Sequence, residues 1–236
     1  MWSQGILPLD SIEILEKQRG TDYIEVDKTT RLDWETLRKK VISQGMRNSN
    51  TMAIAPTATI ANITGLTQSI EPTYSNLFVK SNLSGEFTVI NMHLVDALKE
   101  IDMWDEVMVY DLKNLNGSLE SIARVPEETK RLFATSFEVE PKWLIEAASR
   151  RQKWIDQSQS LNLYVSEPNG KKLDVMYRMA WLRGLKTTYY LRSRSATTTE
   201  KSTITNLELN AVKTEPKNYE QPEACSIDDP DCEACQ

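Results

Sequence analysis

Two stretches in the second half of the chain repeat apolar residues at the spacing of one helix face. Over 141–157 the apolar positions are Trp143, Leu144, Ala147, Ala148, Trp154 and Ile155. Over 171–184 they are Leu173, Met176, Tyr177, Ala180 and Trp181, with Gly184 closing the run. At 3.6 residues per turn, positions three and four apart lie on the same side, so both stretches predict amphipathic helices. Pro141 suits a first helical turn, where its missing N–H leaves no bond unmade. The run KTTYYLR that follows (186–192) is rich in β-branched and aromatic residues and predicts a strand. Helices alternating with strands predict an α/β architecture.

Earlier patterns are weaker. Residues 11–17 and 33–43 predict short helices, the second with Asp33 as its N-cap. The apolar run NTMAIA (50–55) predicts a buried strand, and Pro56 then opens PTATIANITG. Residues 78–80 and 87–91 predict strands joined by a turn at SNLSG, followed by helices over 93–100 and 104–115. From Ser195 onward no period is sustained and large apolar residues are few, which predicts a disordered tail. The expected organisation is a folded body, 1–194, and a flexible tail, 195–236.

Composition changes this picture in three ways. A length of 236 residues allows a sizeable core. No apolar run approaches the ~20 residues of a membrane span, and MWSQGILPLDSIE lacks the basic and apolar regions of a signal peptide. A cytoplasmic protein without membrane partners is expected, whose thiols do redox or metal chemistry rather than form structural disulfides. The net charge of −6 lies entirely in 195–236, where nine acids face three lysines. The preceding body carries 25 acids and 25 bases, which argues against nucleic-acid binding through phosphate neutralisation.

Three constellations carry chemistry, each with two readings. In Pro56–Asn62 a strand runs into a proline-started turn with hydroxyls at Thr57 and Thr59. A helix starting there presents unpaired N–H groups that suit a phosphate; the same residues also serve as simple caps. Tyr189 and Tyr190 either pack or relay electrons. A relay needs the rings together, whereas a regular strand sends neighbours to opposite faces, so the backbone would have to depart from strand geometry. All three cysteines, Cys225, Cys232 and Cys235, lie in the last twelve residues. Cys232-x-x-Cys235 fits thiol–disulfide exchange better than zinc, which usually takes four ligands, although a small metal-binding protein stays open. The acids around these thiols disfavour the thiolate. The polar cluster DQSQSLN (156–162) either caps helix ends or lines a pocket, and His93 belongs to a helix face or core.

Taken in order, RNSNTMAIAPTATIANITG, SIEP, GEFTVINMHL, WIDQSQSLN, GLKTTYYLR and the terminal CxxC resemble the large, catalytic subunit of class I ribonucleotide reductase. The resemblance runs through the whole chain. It implies the C-terminal portion of a ten-stranded α/β barrel. It also implies an oxidoreductase of deoxyribonucleotide biosynthesis, serving DNA replication, that reduces ribonucleoside diphosphates by radical transfer. Thr57, Ala58, Thr59, Ile60 and Ala61 would bind the substrate diphosphate through backbone N–H groups and hydroxyls. Some members carry a hydroxyl where this chain has Ile60, so the donor there is the backbone. Tyr190 would receive a radical from the small subunit and pass it to Tyr189. Cys232 and Cys235 would reduce the active-site disulfide, and thioredoxin or glutaredoxin would reduce them in turn. About 40 flexible residues span roughly 35 Å on average, enough for such a shuttle.

No cofactor is expected in this chain; a dimetal or tyrosyl radical cofactor is expected in the small subunit. The family's catalytic cysteine and second cysteine pair have no counterpart in 1–194, which contains no cysteine. The chain thus looks like roughly the last third of the subunit, acting with a companion that supplies the N-terminal part. The alternative is a non-catalytic interaction fragment. Either way, open strand edges and a large apolar surface are expected.

Overall fold

The computed structural model describes residues 1–82 and 85–194, so the turn tip at 83–84 and the predicted tail lie outside the described residues. Helices α1 (Ser11–Arg19) and α2 (Trp34–Gln44) form over the two predicted stretches, 11–17 and 33–43, with small shifts at their ends. Asp33 accepts the Thr36 N–H at 3.0 Å, as its N-cap assignment required. A short α3 (Ala58–Thr64) follows Pro56 and Thr57. Strands β1 (Leu77–Asn82) and β2 (Gly85–Ile90) pair antiparallel, Leu77 opposite Ile90. Then come α4 (Met92–Glu100), α5 (Glu106–Asn114), α6 (Glu127–Leu132) and α7 (Pro141–Gln152). The unit β3 (Leu163–Val165), α8 (Gly170–Leu182) and β4 (Leu191–Ser193) closes the body, β3 and β4 pairing in parallel.

Two hydrophobic cores result. The first joins α7, β3 and α8 through Leu144, Ile145, Ala148, Leu163, Met176 and Ala180. The second joins β1, α4, α5 and the 119–125 turn through Leu77, Leu94, Leu98, Met108, Leu112 and Ile122. In the second, Asn76 is fully buried, and its amide donates to the carbonyls of Gly117 (2.9 Å) and Phe133 (2.8 Å). Gly117, at φ 77°, lets the chain pass so close that a Cβ there would meet Ser75 Oγ at 2.3 Å and the Leu77 nitrogen at 2.6 Å.

Three elements differ from expectation. Helix α7 stops at Gln152 rather than 157, because the following residues find partners elsewhere. Trp154 stacks on Trp34 with centroids 5.4 Å apart, and the Asp156 carboxylate accepts the N–H groups of Thr51 (2.9 Å) and Met52 (2.6 Å). Residues 50–55 yield a single parallel bridge, Ile54 to Gln159, not a full strand, since Thr51, Met52 and Ala53 stay exposed. Of KTTYYLR, only Leu191 and Arg192 enter β4; the backbone through Tyr190 is irregular. Helix α6 and strand β3 escape prediction because six and three residues are too short to show a period.

Among the described residues both sheets have two strands, and large apolar side chains such as Ile60, Ile63, Leu66, Leu132 and Trp143 are exposed, as the resemblance led us to expect. Among the described residues, no helix is long and apolar enough to cross a membrane.

Candidate functional site

The turn into α3 is held in a left-handed conformation, Thr57 at φ 54°. For a β-branched residue this costs about 1–3 kcal/mol and persists only when neighbours enforce it. Two bonds do so here. The Thr57 hydroxyl donates to the Pro56 carbonyl (2.8 Å) and accepts the Ser69 N–H (2.9 Å). Thr57 is therefore committed within the loop. Ala58, Thr59 and Ile60 are exposed, Ile60 to 64%, and Ala61 is buried. The N–H groups of Ala58, Thr59 and Ile60 lie in the first turn, where no helix carbonyl reaches them. The Ala61 N–H closes that turn on the Thr57 carbonyl at 2.6 Å.

Tyr189 and Tyr190 lie just before β4. Their ring centroids are 4.1 Å apart at a 45° tilt, and the Tyr189 hydroxyl donates to that of Tyr190 at 3.3 Å. Both rings share one side because the backbone there is not strand. Both are about half exposed, at 45% and 52%. The bond that Tyr189 donates is lost on ionisation, so this bond, with the neighbouring phenol's charge, holds the Tyr189 phenol above its ordinary pKa. Arg192 places its guanidinium 5.1 Å from the Tyr190 ring.

Between these two places lies a polar network that the motif reading did not assign. Glu71, from SIEP, accepts the Asn162 N–H (2.8 Å), the Asn162 amide (3.0 Å) and the Tyr164 hydroxyl (2.8 Å). Burial raises the Tyr164 phenol pKa, and the bond to Glu71 adds to the rise. Asn162 Oδ1 in turn accepts the Tyr190 N–H at 3.2 Å. Ser69 Oγ donates to the Ser160 carbonyl at 3.0 Å, two residues from Asn162. In the sequence, Glu71 and Asn162 are legible only as members of SIEP and WIDQSQSLN; their 91-residue separation hides the pairing. The cluster DQSQSLN packs on the side of α7: the buried Gln159 amide donates to the Ala148 carbonyl, one position before the helix's last four, at 2.8 Å.

Cys225, Cys232 and Cys235 lie outside the described residues. His93 is exposed on α4. A cavity of about 470 Å³ lies elsewhere, between Trp34, Trp154, Lys153 and the 27–32 segment, and none of the residues at 57–61 or 189–190 lines it.

A family model described as "Ribonucleotide reductase, barrel domain" matches residues 1–191. Over 100% of this chain, the ribonucleoside-diphosphate reductase subunit alpha of Chlamydia muridarum (strain MoPn / Nigg) is 51% identical, and 23% of that relative is covered. The ribonucleoside-diphosphate reductase large subunit of Plasmodium falciparum (isolate Dd2) is 43% identical over 77% of this chain, covering 23% of the relative. Among solved structures, the Actinobacillus ureae class Id ribonucleotide reductase alpha subunit superposes with a TM-score of 0.58 at 28% identity, over 80% of this chain and 32% of that one. The chain thus spans about a quarter of the length of these curated relatives. A match running from Met1 to Leu191, through both cores, the 57–71 loop and the tyrosine pair, means that the chain belongs to the ribonucleotide reductase barrel-domain family.

Proposed function

We propose that this chain is part of a ribonucleoside-diphosphate reductase large subunit. In that role it helps to convert ribonucleoside diphosphates to deoxyribonucleoside diphosphates in the cytoplasm. The observation that carries this reading is the contact between Tyr189 and Tyr190 in a chain 51% identical to such a subunit. In the proposed relay, Tyr190, oxidised by the small subunit's radical cofactor, takes a hydrogen atom from Tyr189. The Tyr189 O–H bond breaks, the Tyr190 O–H bond forms, and the radical moves one residue inward. The hydroxyl separation of 3.3 Å, with Tyr189 as donor, supports a short transfer in that direction. Tyr189 would then oxidise a cysteine thiol in the same way.

At the other end, the exposed first turn of α3 would hold the substrate diphosphate. The backbone N–H groups of Ala58, Thr59 and Ile60 and the Thr59 hydroxyl supply donors, and Ala61 and Thr57 shape the turn. Cys232 and Cys235 would act as the dithiol that reduces the active-site disulfide, recharged by thioredoxin or glutaredoxin. Because 1–194 contains no cysteine, the thiyl-forming cysteine and the disulfide pair would come from the part of the large subunit that this chain does not span, supplied for the test as a companion polypeptide.

The test is ribonucleoside-diphosphate reduction by the full chain with the small subunit, with and without that companion. Turnover is expected only with the companion and only with Tyr189 and Tyr190 intact; with thioredoxin or glutaredoxin as reductant it also needs Cys232 and Cys235. Replacing Cys232 or Cys235 by Ser should abolish thioredoxin-driven turnover while a small dithiol sustains it. Turnover without any other large-subunit polypeptide would overturn the need for a companion. The same lack of cysteine in 1–194 favours a second reading, a non-catalytic interaction fragment, which predicts small-subunit binding but no turnover in any combination.

A further inference from the structure

We propose that Glu71 is a positioning residue for the Tyr189–Tyr190 pair, acting through the side chain of Asn162. The proposal deepens the relay reading and rests on it for its functional meaning. In the β3–β4 ladder, Leu163 faces Leu191, so the next pair outward would be Asn162 and Tyr190. There the regular pairing stops. The Tyr190 N–H bonds to the Asn162 side-chain oxygen at 3.2 Å instead of a backbone carbonyl. The Tyr190 carbonyl still accepts the Leu163 N–H (2.9 Å), and the Tyr189 N–H still reaches the Leu161 carbonyl (2.8 Å). These three bonds bracket two residues in a backbone that is not strand. Had the strand continued, adjacent tyrosines would point to opposite faces and their hydroxyls could not meet.

The bracket works only if the Asn162 amide is fixed, and Glu71 fixes it. One carboxylate oxygen takes the Asn162 backbone N–H and the other takes its side-chain N–H. That selects one amide orientation and leaves Oδ1 facing Tyr190. The Tyr164 hydroxyl orients the same carboxylate from within the first core. Two residues before Glu71, Ser69 bonds both Thr57 and Ser160. One segment, 69–71, therefore holds the proposed diphosphate turn on one side and the tyrosine bracket on the other. A displacement of either would reach the other through these few bonds.

Glu71→Gln is the direct test, because a glutamine has one acceptor oxygen: whichever way its amide turns, either the Asn162 backbone N–H or the Asn162 side-chain N–H and the Tyr164 hydroxyl lose their acceptor. The full chain, labelled at the tyrosine ring carbons with ¹³C, is followed by NMR, with Tyr189 and Tyr190 assigned by single Tyr→Phe changes. In E71Q the nuclear Overhauser contact between the two rings should disappear, and the Tyr189 titration should fall toward that of an ordinary phenol. Tyr164→Phe removes one donor but leaves the Asn162 bonds, and the pair's signals should remain. A merely structural role for Glu71 lowers stability without moving these signals in the folded protein. Unchanged ring contact and titration in folded E71Q would overturn the proposal. If E71Q does not fold, Asn162→Ala, which deletes Oδ1 itself, carries the same test with the same overturning result. The relay reading fails separately, when Tyr189→Phe leaves reductase turnover intact whatever the NMR reports.

Discussion

The two cores of this protein are of similar size but treat polar groups differently. Around the first, buried polar side chains are paired: Ser149 donates to the Arg183 carbonyl, Gln159 to the Ala148 carbonyl, and Asn162 and Tyr164 to Glu71. Around the second, Asn76 is fully bonded, yet Asp111 Oδ2, Arg124 Nε and Thr135 Oγ1 are buried without a partner among the described residues. The second core is built of regular helices against a hairpin, whose backbones satisfy themselves, so a few polar atoms are left over. The first must hold irregular backbone at 157–162 and 186–190. There, side-chain amides and a carboxylate stand in for missing ladder partners. Tyr189 and Tyr190 are bonded to Leu161 and Leu163 of the first core, and the 57–61 turn is tied to the same stretch of chain through Ser69 and Ser160.

Substitutions can break or sharpen that contrast. The largest effect on chemistry is expected from Tyr189→Phe or Tyr190→Phe, each reducing turnover of the assembled reductase to background. Each removes one exposed hydroxyl bond, so stability should change by less than about 1 kcal/mol, read as an unchanged melting temperature. In the second core the balance reverses. Leu98→Ala empties a fully buried site and should cost about 2–5 kcal/mol in denaturant unfolding, while turnover per folded molecule is retained.

Gly117→Ala should cost about 1–3 kcal/mol, because its Cβ would strike backbone atoms that cannot move aside. Asp105→Ala removes the α5 N-cap, which accepts the Met108 N–H at 2.7 Å, and should cost about 1 kcal/mol. The Arg124 guanidinium bonded to Asp105 lowers its carboxyl pKa to about 2. Its folded-state pKa is thus below the unfolded value. The stability it contributes is present above the unfolded pKa and is lost as pH falls through about 2.

Asp111 has the opposite sign and the smallest effect. Burial raises its pKa, so in the folded state it binds a proton more readily than in the unfolded chain. Stability withheld at neutral pH is returned as pH falls. Asp111→Asn, which imitates the protonated form, should raise the melting temperature slightly at pH 7 and flatten its acid dependence. A fall instead would mean that the attraction between Asp111 and Arg124 outweighs the burial cost.

Much of the first core was readable from spacing. Leu144, Ala148, Met176 and Ala180, on the predicted faces of α7 and α8, are buried as drawn. The same reading placed Trp143 and Trp181 among the apolar positions, yet they are 60% and 41% exposed. Periodicity names a face but not its edge. Helix α7 was drawn too long because Trp154 and Ile155 keep the period after the backbone has turned away to meet residues 51–54. Local pattern carries no information about a partner a hundred residues distant.

What the sequence determined by itself was the inventory: the helices with strong period, the family carried by motifs in order, and the two tyrosines as candidates. These depend on neighbouring residues or on the identity of side chains. Tertiary structure alone decided that the tyrosine rings lie together, that Thr57 is held left-handed with its hydroxyl already used, and that Glu71 reaches Asn162. Each of these rests on a bond or contact whose geometry departs from the regular element nearby. Such departures are set by groups far away in sequence, and only the folded chain brings those groups within hydrogen-bond reach.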